Sequence, residues 1–311
     1  MPIKRKGLII VRYMLFSIVL YIVGKTLLKQ MAQFNLSDFS IGTPYIVASA
    51  SCEIFARLFI SAGYWLILKF LDTPLPAKTV IGVSWLSFLG KYLPGKIAVV
   101  ANAVYFLKKY QIPTSVAGVV PLLCTFMTIF VALLLSLPLL YSNNDIQNIS
   151  NMLCIILPFI CVGTLFSINP SSFFCITNIL LKRLGMYPIQ LIFSVRQMTA
   201  LISVIGLQCV FAGLSTWFIC KSVCFMKLTF LPQIISTTAF SGVMGLLAFF
   251  SPAGIGVRDG FYFLILGSVT GSENAAMITI ILRIVQTVVD LCTAGAGAIL
   301  LYLHKISRLS S

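Results

Sequence analysis

TVIGVSWLSFLGKYLPGKIAVVANAVYFL, residues 79–107, is an apolar stretch interrupted near its middle by Leu93-Pro94-Gly95-Lys96. Proline removes a backbone donor and glycine weakens a helix, so two short half-helices are expected rather than one straight span. The rest of the chain is as greasy. Of its 311 residues 59% are hydrophobic and 9% charged, and the mean hydropathy is +1.04. Soluble domains carry roughly 25% charged residues, so a soluble enzyme, a disordered chain and a coiled coil are excluded. An all-α, polytopic membrane protein remains, built as a single integral membrane domain over 1–311.

Apolar runs of spanning length lie at roughly 8–28, 44–68, 113–141, 149–168, 190–219, 230–250, 252–271 and 275–303, about eight transmembrane helices besides 79–107. How 79–107 sits decides the orientation of everything after it. If it dips in and returns on one side, Lys4, Arg5, Lys6, Lys69, Lys78, Lys108, Lys109, Lys182, Arg183, Arg258, Lys305 and Arg308 share a side. Only Lys29, Lys221 and Lys227 then face the other. If it crosses fully, Lys108 and Lys109 change sides and every later assignment inverts. The positive-inside rule therefore predicts a re-entrant helical hairpin at 79–107 with both termini in the cytoplasm.

The formal net charge of +15 is explained by the same rule and by anionic headgroups, with no need for nucleic acid. Lys4-Arg5-Lys6 precede an apolar run as in a signal peptide, but Lys25 follows without a small-residue cleavage pattern, so a retained first span is expected. Cys52, Cys124, Cys154, Cys161, Cys209 and Cys292 lie in apolar stretches. With no Cys-x-x-Cys and His304 alone, they read as packing residues rather than metal ligands.

Seven basic residues fall within apolar stretches: Arg12, Lys25, Arg57, Lys91, Lys96, Arg196 and Arg283. Each needs a partner, an interface or a wet cavity. Arg12 and Lys25, near helix ends, are placed to snorkel. Glu53 and Arg57 are four apart and can pair on one helix. Arg283 and Asp290 share a face of the last helix about 10 Å apart, too far to pair directly. The adjacent Arg258-Asp259 offers one partner of each sign, which predicts either crossed salt bridges or a basic cavity.

Phe250-Ser251-Pro252-Ala253-Gly254-Ile255-Gly256-Val257-Arg258-Asp259-Gly260 forms a second break. Freed backbone groups at membrane depth are tolerated only where protein or water satisfies them. The apolar remainder, 261–271, is too short to span alone, so partial unwinding or re-entry is expected. Gly254, Gly256 and Gly260 miss the dinucleotide-binding spacing, and no strand precedes them. Pro94-Gly95 in one half and Pro252 to Gly256 in the other are paired interruptions, the pattern of a substrate site between two related halves.

Tyr92-Leu93-Pro94-Gly95-Lys96, Val104-Tyr105-Phe106-Leu107-Lys108-Lys109-Tyr110 and Pro252 to Gly260 together resemble the lysylphosphatidylglycerol synthase transmembrane-region family. The Arg283…Asp290 spacing is similar as well, and the likeness runs over roughly 80–303. Gly-x-Gly-Val-Arg-Asp-Gly is its most specific element. Asn102 and Ala103 stand in a stretch where the family usually has an arginine, and Cys124 and Thr125 lie near the place of a common glutamate. The resemblance implies a flippase-type domain that handles lipids or lipid-linked sugars in bacterial envelope or polysaccharide biosynthesis. The resemblance also implies that aminoacyl transfer needs a separate soluble domain, which is not expected in the few residues after 303, so the chain is not expected to make lysyl-lipid by itself.

Three functions stay open at this level. The first is binding or translocation of an anionic lipid or lipid-linked saccharide. There Lys96, Arg258 and Arg283 contact phosphate, Asp259 and Asp290 position the arginines, and Pro94, Gly95, Pro252, Gly254 and Gly256 break the helices. The second is a membrane glycosyltransferase or polysaccharide polymerase using Asp38, Asp145 or Glu273. The third is a non-catalytic scaffold that presents Gly242…Gly245 or Gly295-Ala296-Gly297 to an envelope-biosynthesis partner. No catalytic set, metal cluster or cofactor motif is expected in any of them beyond those carboxylates.

Overall fold

The computed structural model describes residues 42–93, 97–139, 193–248 and 251–309, together with Asn178 and Lys182, and the elements among them are all helical. They are α1 (Thr43–Phe70), α2 (Ala77–Phe88), α3 (Ile97–Lys108), α4 (Thr114–Ser136), α5 (Val195–Val223), α6 (Leu231–Leu247), α7 (Val257–Thr270) and α8 (Ser272–Leu309). Single 3-10 turns lie at Leu89–Tyr92, Leu228–Phe230 and Pro252–Gly254.

Prolines punctuate the helix starts, where a missing N–H costs nothing. One sits in the first turn of α1 and of α6, and Pro76 and Pro113 stand immediately before α2 and α4. A capping box opens α5: Ser194 Oγ accepts the Gln197 N–H at 3.3 Å, and the Ser194 N–H donates to Gln197 Oε1 at 2.9 Å.

Among the described residues, α1, α4, α5, the segment Leu228–Leu247 and α8 over Ser272–Leu303 are long and apolar enough to cross a bilayer. They answer to the expected spans 44–68, 113–141, 190–219, 230–250 and 275–303. The expected spans 8–28 and 149–168 lie outside the described residues. The stretch 252–271 is not one helix. It is a 3-10 turn followed by α7, whose 14 residues reach about 21 Å against a hydrocarbon core of roughly 30 Å. The proline and glycines consume the residues that a full crossing would need. Arg196, counted among the intramembrane cations, stands exposed in the first turn of α5.

Residues 79–107 fold as a hairpin. Helices α2 and α3 have 12 residues each, about 18 Å, and pack against one another. At the turn Gly90 lies against the backbone of Ala98 and Val99, where any side chain would collide. Pro94, Gly95 and Lys96 are outside the described residues.

Small residues let the helices approach. Helix α1 lies along α5, joined by a 2.8 Å hydrogen bond between Ser49 and Ser215. A Cβ on Gly213 of α5 would come within 2.7 Å of Ile235 on α6, and Thr238 of α6 donates to Thr216 of α5 at 2.9 Å. Gly82 of α2 and Gly297 of α8 meet so closely that a Cβ on Gly297 would sit 3.1 Å from the Gly82 carbonyl. Cys124, Cys209 and Cys220 are buried and unpaired, as packing residues should be, whereas Cys292 is exposed on α8. Cys154 and Cys161 are outside the described residues. Outward faces carry Phe55, Leu207, Leu264, Val288 and Ile299, apolar groups that suit contact with lipid.

Candidate functional site

The polar residues of α8 recur at helical spacing: Arg283, Gln286, Asp290 and Thr293 are all buried and share one face. Around this stripe gather α1, the α2–α3 hairpin and the break before α7. Two ion-pair clusters result, one near each end of the stripe.

The first centres on Asp290, which is only 4% exposed. Arg57 Nε of α1 donates to its Oδ1 at 3.0 Å, the Tyr92 hydroxyl donates to Oδ2 at 2.7 Å, and Lys91 pairs with Oδ2 as well. Arg57 also pairs with Glu53 at 3.4 Å, one turn earlier on α1, and Glu53 accepts a hydrogen bond from Gln286 Nε2 at 3.0 Å. The predicted Glu53–Arg57 pair is therefore present, and it joins a larger network. The Phe88 ring lies beside both cations, 5.3 Å from Arg57 and 5.6 Å from Lys91. Ser61 and Trp85 both donate to the Arg57 carbonyl, which fixes the backbone below the guanidinium.

The second cluster is built on the break. Ala253 takes φ +51°, Gly254 +72° and Gly256 +85°, left-handed values that suit glycine and strain alanine. That geometry turns the chain sharply into α7 and leaves the Ala253 carbonyl free to accept Arg283 Nη1 at 3.3 Å. Arg283 Nη2 pairs with Asp259 Oδ2 at 3.0 Å, and the same oxygen accepts the Gly256 N–H at 3.1 Å. Asp259 thus caps the start of α7 and fastens it to α8.

Arg258 stands apart from both. Its stem packs on Gly245 of α6, where a Cβ would come within 2.9 Å. Its Nη2 donates to the Tyr262 hydroxyl at 3.2 Å, one turn along α7. Its buried Nε has no hydrogen-bond partner among the described residues. No carboxylate of the described chain lies within ion-pairing distance of it, though Glu53 and Asp259, like the cations Arg57 and Lys91, are near enough to act on it electrostatically. Among the described residues of the site, the cations Arg57, Lys91, Arg258 and Arg283 face the carboxylates Glu53, Asp259 and Asp290, one positive charge more than negative. Geometry puts it on Arg258.

The two breaks touch. Tyr92 packs in one apolar cluster with Leu89, Leu93, Ala253 and Ile255. Both interrupted segments therefore converge on the same stretch of α8.

Residues 7–294 match the family model described as the lysylphosphatidylglycerol synthase TM region. The chain belongs to that family. Lysylphosphatidylglycerol synthase TM-region membership extends the resemblance to the N-terminal part and makes this an integral membrane domain of lipid or envelope processes. No curated protein matches the sequence.

Of the residues that the sequence singled out, the structure brings Arg258, Asp259, Arg283, Asp290, Pro252, Gly254 and Gly256 into one region, while Lys96 lies outside the described residues. The crossed-pair expectation is half met. Asp259 holds Arg283, but Asp290 holds Arg57 and Lys91 rather than Arg258 or Arg283. The reason is distance: the hairpin delivers Lys91 and Tyr92 directly onto Asp290, whereas Arg258 points along α7 toward Tyr262. Arg258 itself is half-buried in the first turn of α7.

Sequence reasoning missed Gln286 and Tyr262, and left Lys91, Tyr92, Glu53 and Arg57 outside the headgroup set. Gln286 was detectable, being three after Arg283 and four before Asp290 on the same face. Asn102 and Cys124 are buried, and Cys124 packs against Gly63. Of the acceptor-activating carboxylates, Glu273 is exposed in the first turn of α8, and Asp38 and Asp145 are outside the described residues. Among the described residues no group of His, Cys, Asp and Glu is arranged to hold a metal.

Proposed function

We propose that the chain binds the anionic headgroup of a membrane lipid or lipid-linked saccharide at Arg258, between the two helix breaks, and passes it across the bilayer. The observation that carries this reading is Arg258 itself: a part-buried guanidinium with an unpartnered Nε and no carboxylate among the described residues. A cation costs a few kcal/mol in a bilayer unless something neutralises it. Its neighbours are already committed to one another, so a mobile anion is the natural counterion. Arg283 and Asp259 support the site by locking the break in place, and Asp290 holds the opposite break. The cytoplasmic placement of both termini, two related halves and a bacterial plasma or inner membrane are part of this proposal, supported by the charge asymmetry and by family membership.

The test is lipid scrambling in proteoliposomes with fluorescent phosphatidylglycerol. We expect transfer above that of empty vesicles, reduced about tenfold by Arg258→Met, the equivalent of one charge-assisted hydrogen bond. Rates equal to empty vesicles across several headgroups defeat the proposal. The scaffold reading retains one observation: Gly242 and Gly295 face no other part of the described chain, while Gly245 and Gly297 are used internally. A stable heteromeric complex in mild detergent, without lipid transfer, would favour an envelope-biosynthesis partner.

A further inference from the structure

Asp290 receives three donors from two different elements: Arg57 Nε, the Lys91 ammonium and the Tyr92 hydroxyl. Two cations and a phenol around a pair of oxygens form a cradle that suits a phosphate as well as a carboxylate. The donors are not equally committed. Arg57 keeps Glu53 as a second carboxylate, whereas Lys91 has Asp290 alone among the described residues. Lys91 and Tyr92 stand on a single 3-10 turn beside the tip of the hairpin, and Tyr92 packs on Ala253 and Ile255, a few residues from Arg258. A group held by Arg258 is thus near Lys91 and Tyr92, the two Asp290 donors with no second carboxylate among the described residues.

Building on the headgroup reading above, we propose that this cradle is a second anion subsite, filled by the chain's own Asp290, and that a phosphate anchored on Arg258 takes Lys91 and Tyr92 from that carboxylate. Asp290 then keeps Arg57, so no carboxylate is left bare. Exchange of partners releases the Leu89–Tyr92 turn from Asp290 while the second break stays fastened to α8 through Arg283 and Asp259. Binding at one break is thereby coupled to release of the other.

Competition makes a prediction of definite sign. If Asp290 competes with the ligand, removing its charge strengthens binding; if it only arranges the cations, removing it weakens binding. The experiment titrates the detergent-solubilised full chain with short-chain phosphatidylglycerol, and separately with inorganic phosphate, by microscale thermophoresis. Asp290→Asn should tighten phosphatidylglycerol binding about tenfold, Lys91→Met should weaken it about tenfold, and the double variant should be no tighter than Lys91→Met. Unchanged or weaker binding by Asp290→Asn, or unchanged binding by Lys91→Met, overturns the subsite. Should Asp290→Asn fail to fold, Lys91→Met, which leaves Asp290 with Arg57 and Tyr92, decides alone. Tightening shared by inorganic phosphate assigns recognition to the phosphate group; tightening confined to the lipid assigns it to a membrane-anchored phosphodiester. Arg258→Met separates this idea from its parent: intact binding sinks the headgroup reading, while lost binding together with a weaker Asp290→Asn sinks only the subsite.

Discussion

The two ends of the polar stripe on α8 settle their charge in opposite ways. At Asp290 one buried carboxylate serves two cations and a phenol, and a second carboxylate, Glu53, steadies the arginine. At Asp259 a single pair with Arg283 closes the account locally, and the adjacent Arg258 is left over. The difference teaches that charge density alone does not mark a binding site. At Asp290 every donor has an acceptor within the chain, whereas the Nε of Arg258 is buried without one among the described residues.

Breaking the fastening should cost most. Asp290→Ala strands Lys91, leaves Arg57 with Glu53 alone and removes the acceptor of the Tyr92 hydroxyl, and we expect a loss of about 3–5 kcal/mol, read from unfolding in detergent. A loss no larger than that of an exposed substitution would erase the distinction between the two ends. Next comes Gln286→Leu, which removes the hydrogen bond to Glu53 and should cost roughly 1.5–3 kcal/mol in the same measurement. The smallest effect is expected at Arg258→Met. It keeps the stem on Gly245 and deletes an uncompensated charge at the cost of the hydrogen bond to Tyr262, so stability should fall by no more than about 1 kcal/mol. A large loss there would mean that Arg258 is also a fastening.

Much of this was legible in residue order. Pro/Gly punctuation located both breaks, the four-residue spacing paired Glu53 with Arg57, and the segregation of lysines called for the 79–107 hairpin. Arg283 and Asp290 were readable as one face of one helix. Their partners were not, because a helix face says which side chains point together and nothing about which distant segment meets them. Arg258 and Asp259 are adjacent and of opposite sign, which invited a symmetrical exchange with the last helix. The sharp left-handed turn at Ala253 and Gly254 instead sends Asp259 toward α8 and Arg258 along α7.

The sequence by itself determined that the chain is helical, that it belongs in a bilayer and where its helices must break. Those properties follow from transfer energy and backbone chemistry, which act locally. Only the tertiary structure decided that Lys91 and Tyr92 reach Asp290, that Arg283 is taken by Asp259 and that Arg258, among the described cations of the site, has no carboxylate in pairing distance. Ion pairing in a low-dielectric interior depends on separations of a few ångströms between segments far apart in the chain, and no local spacing encodes them.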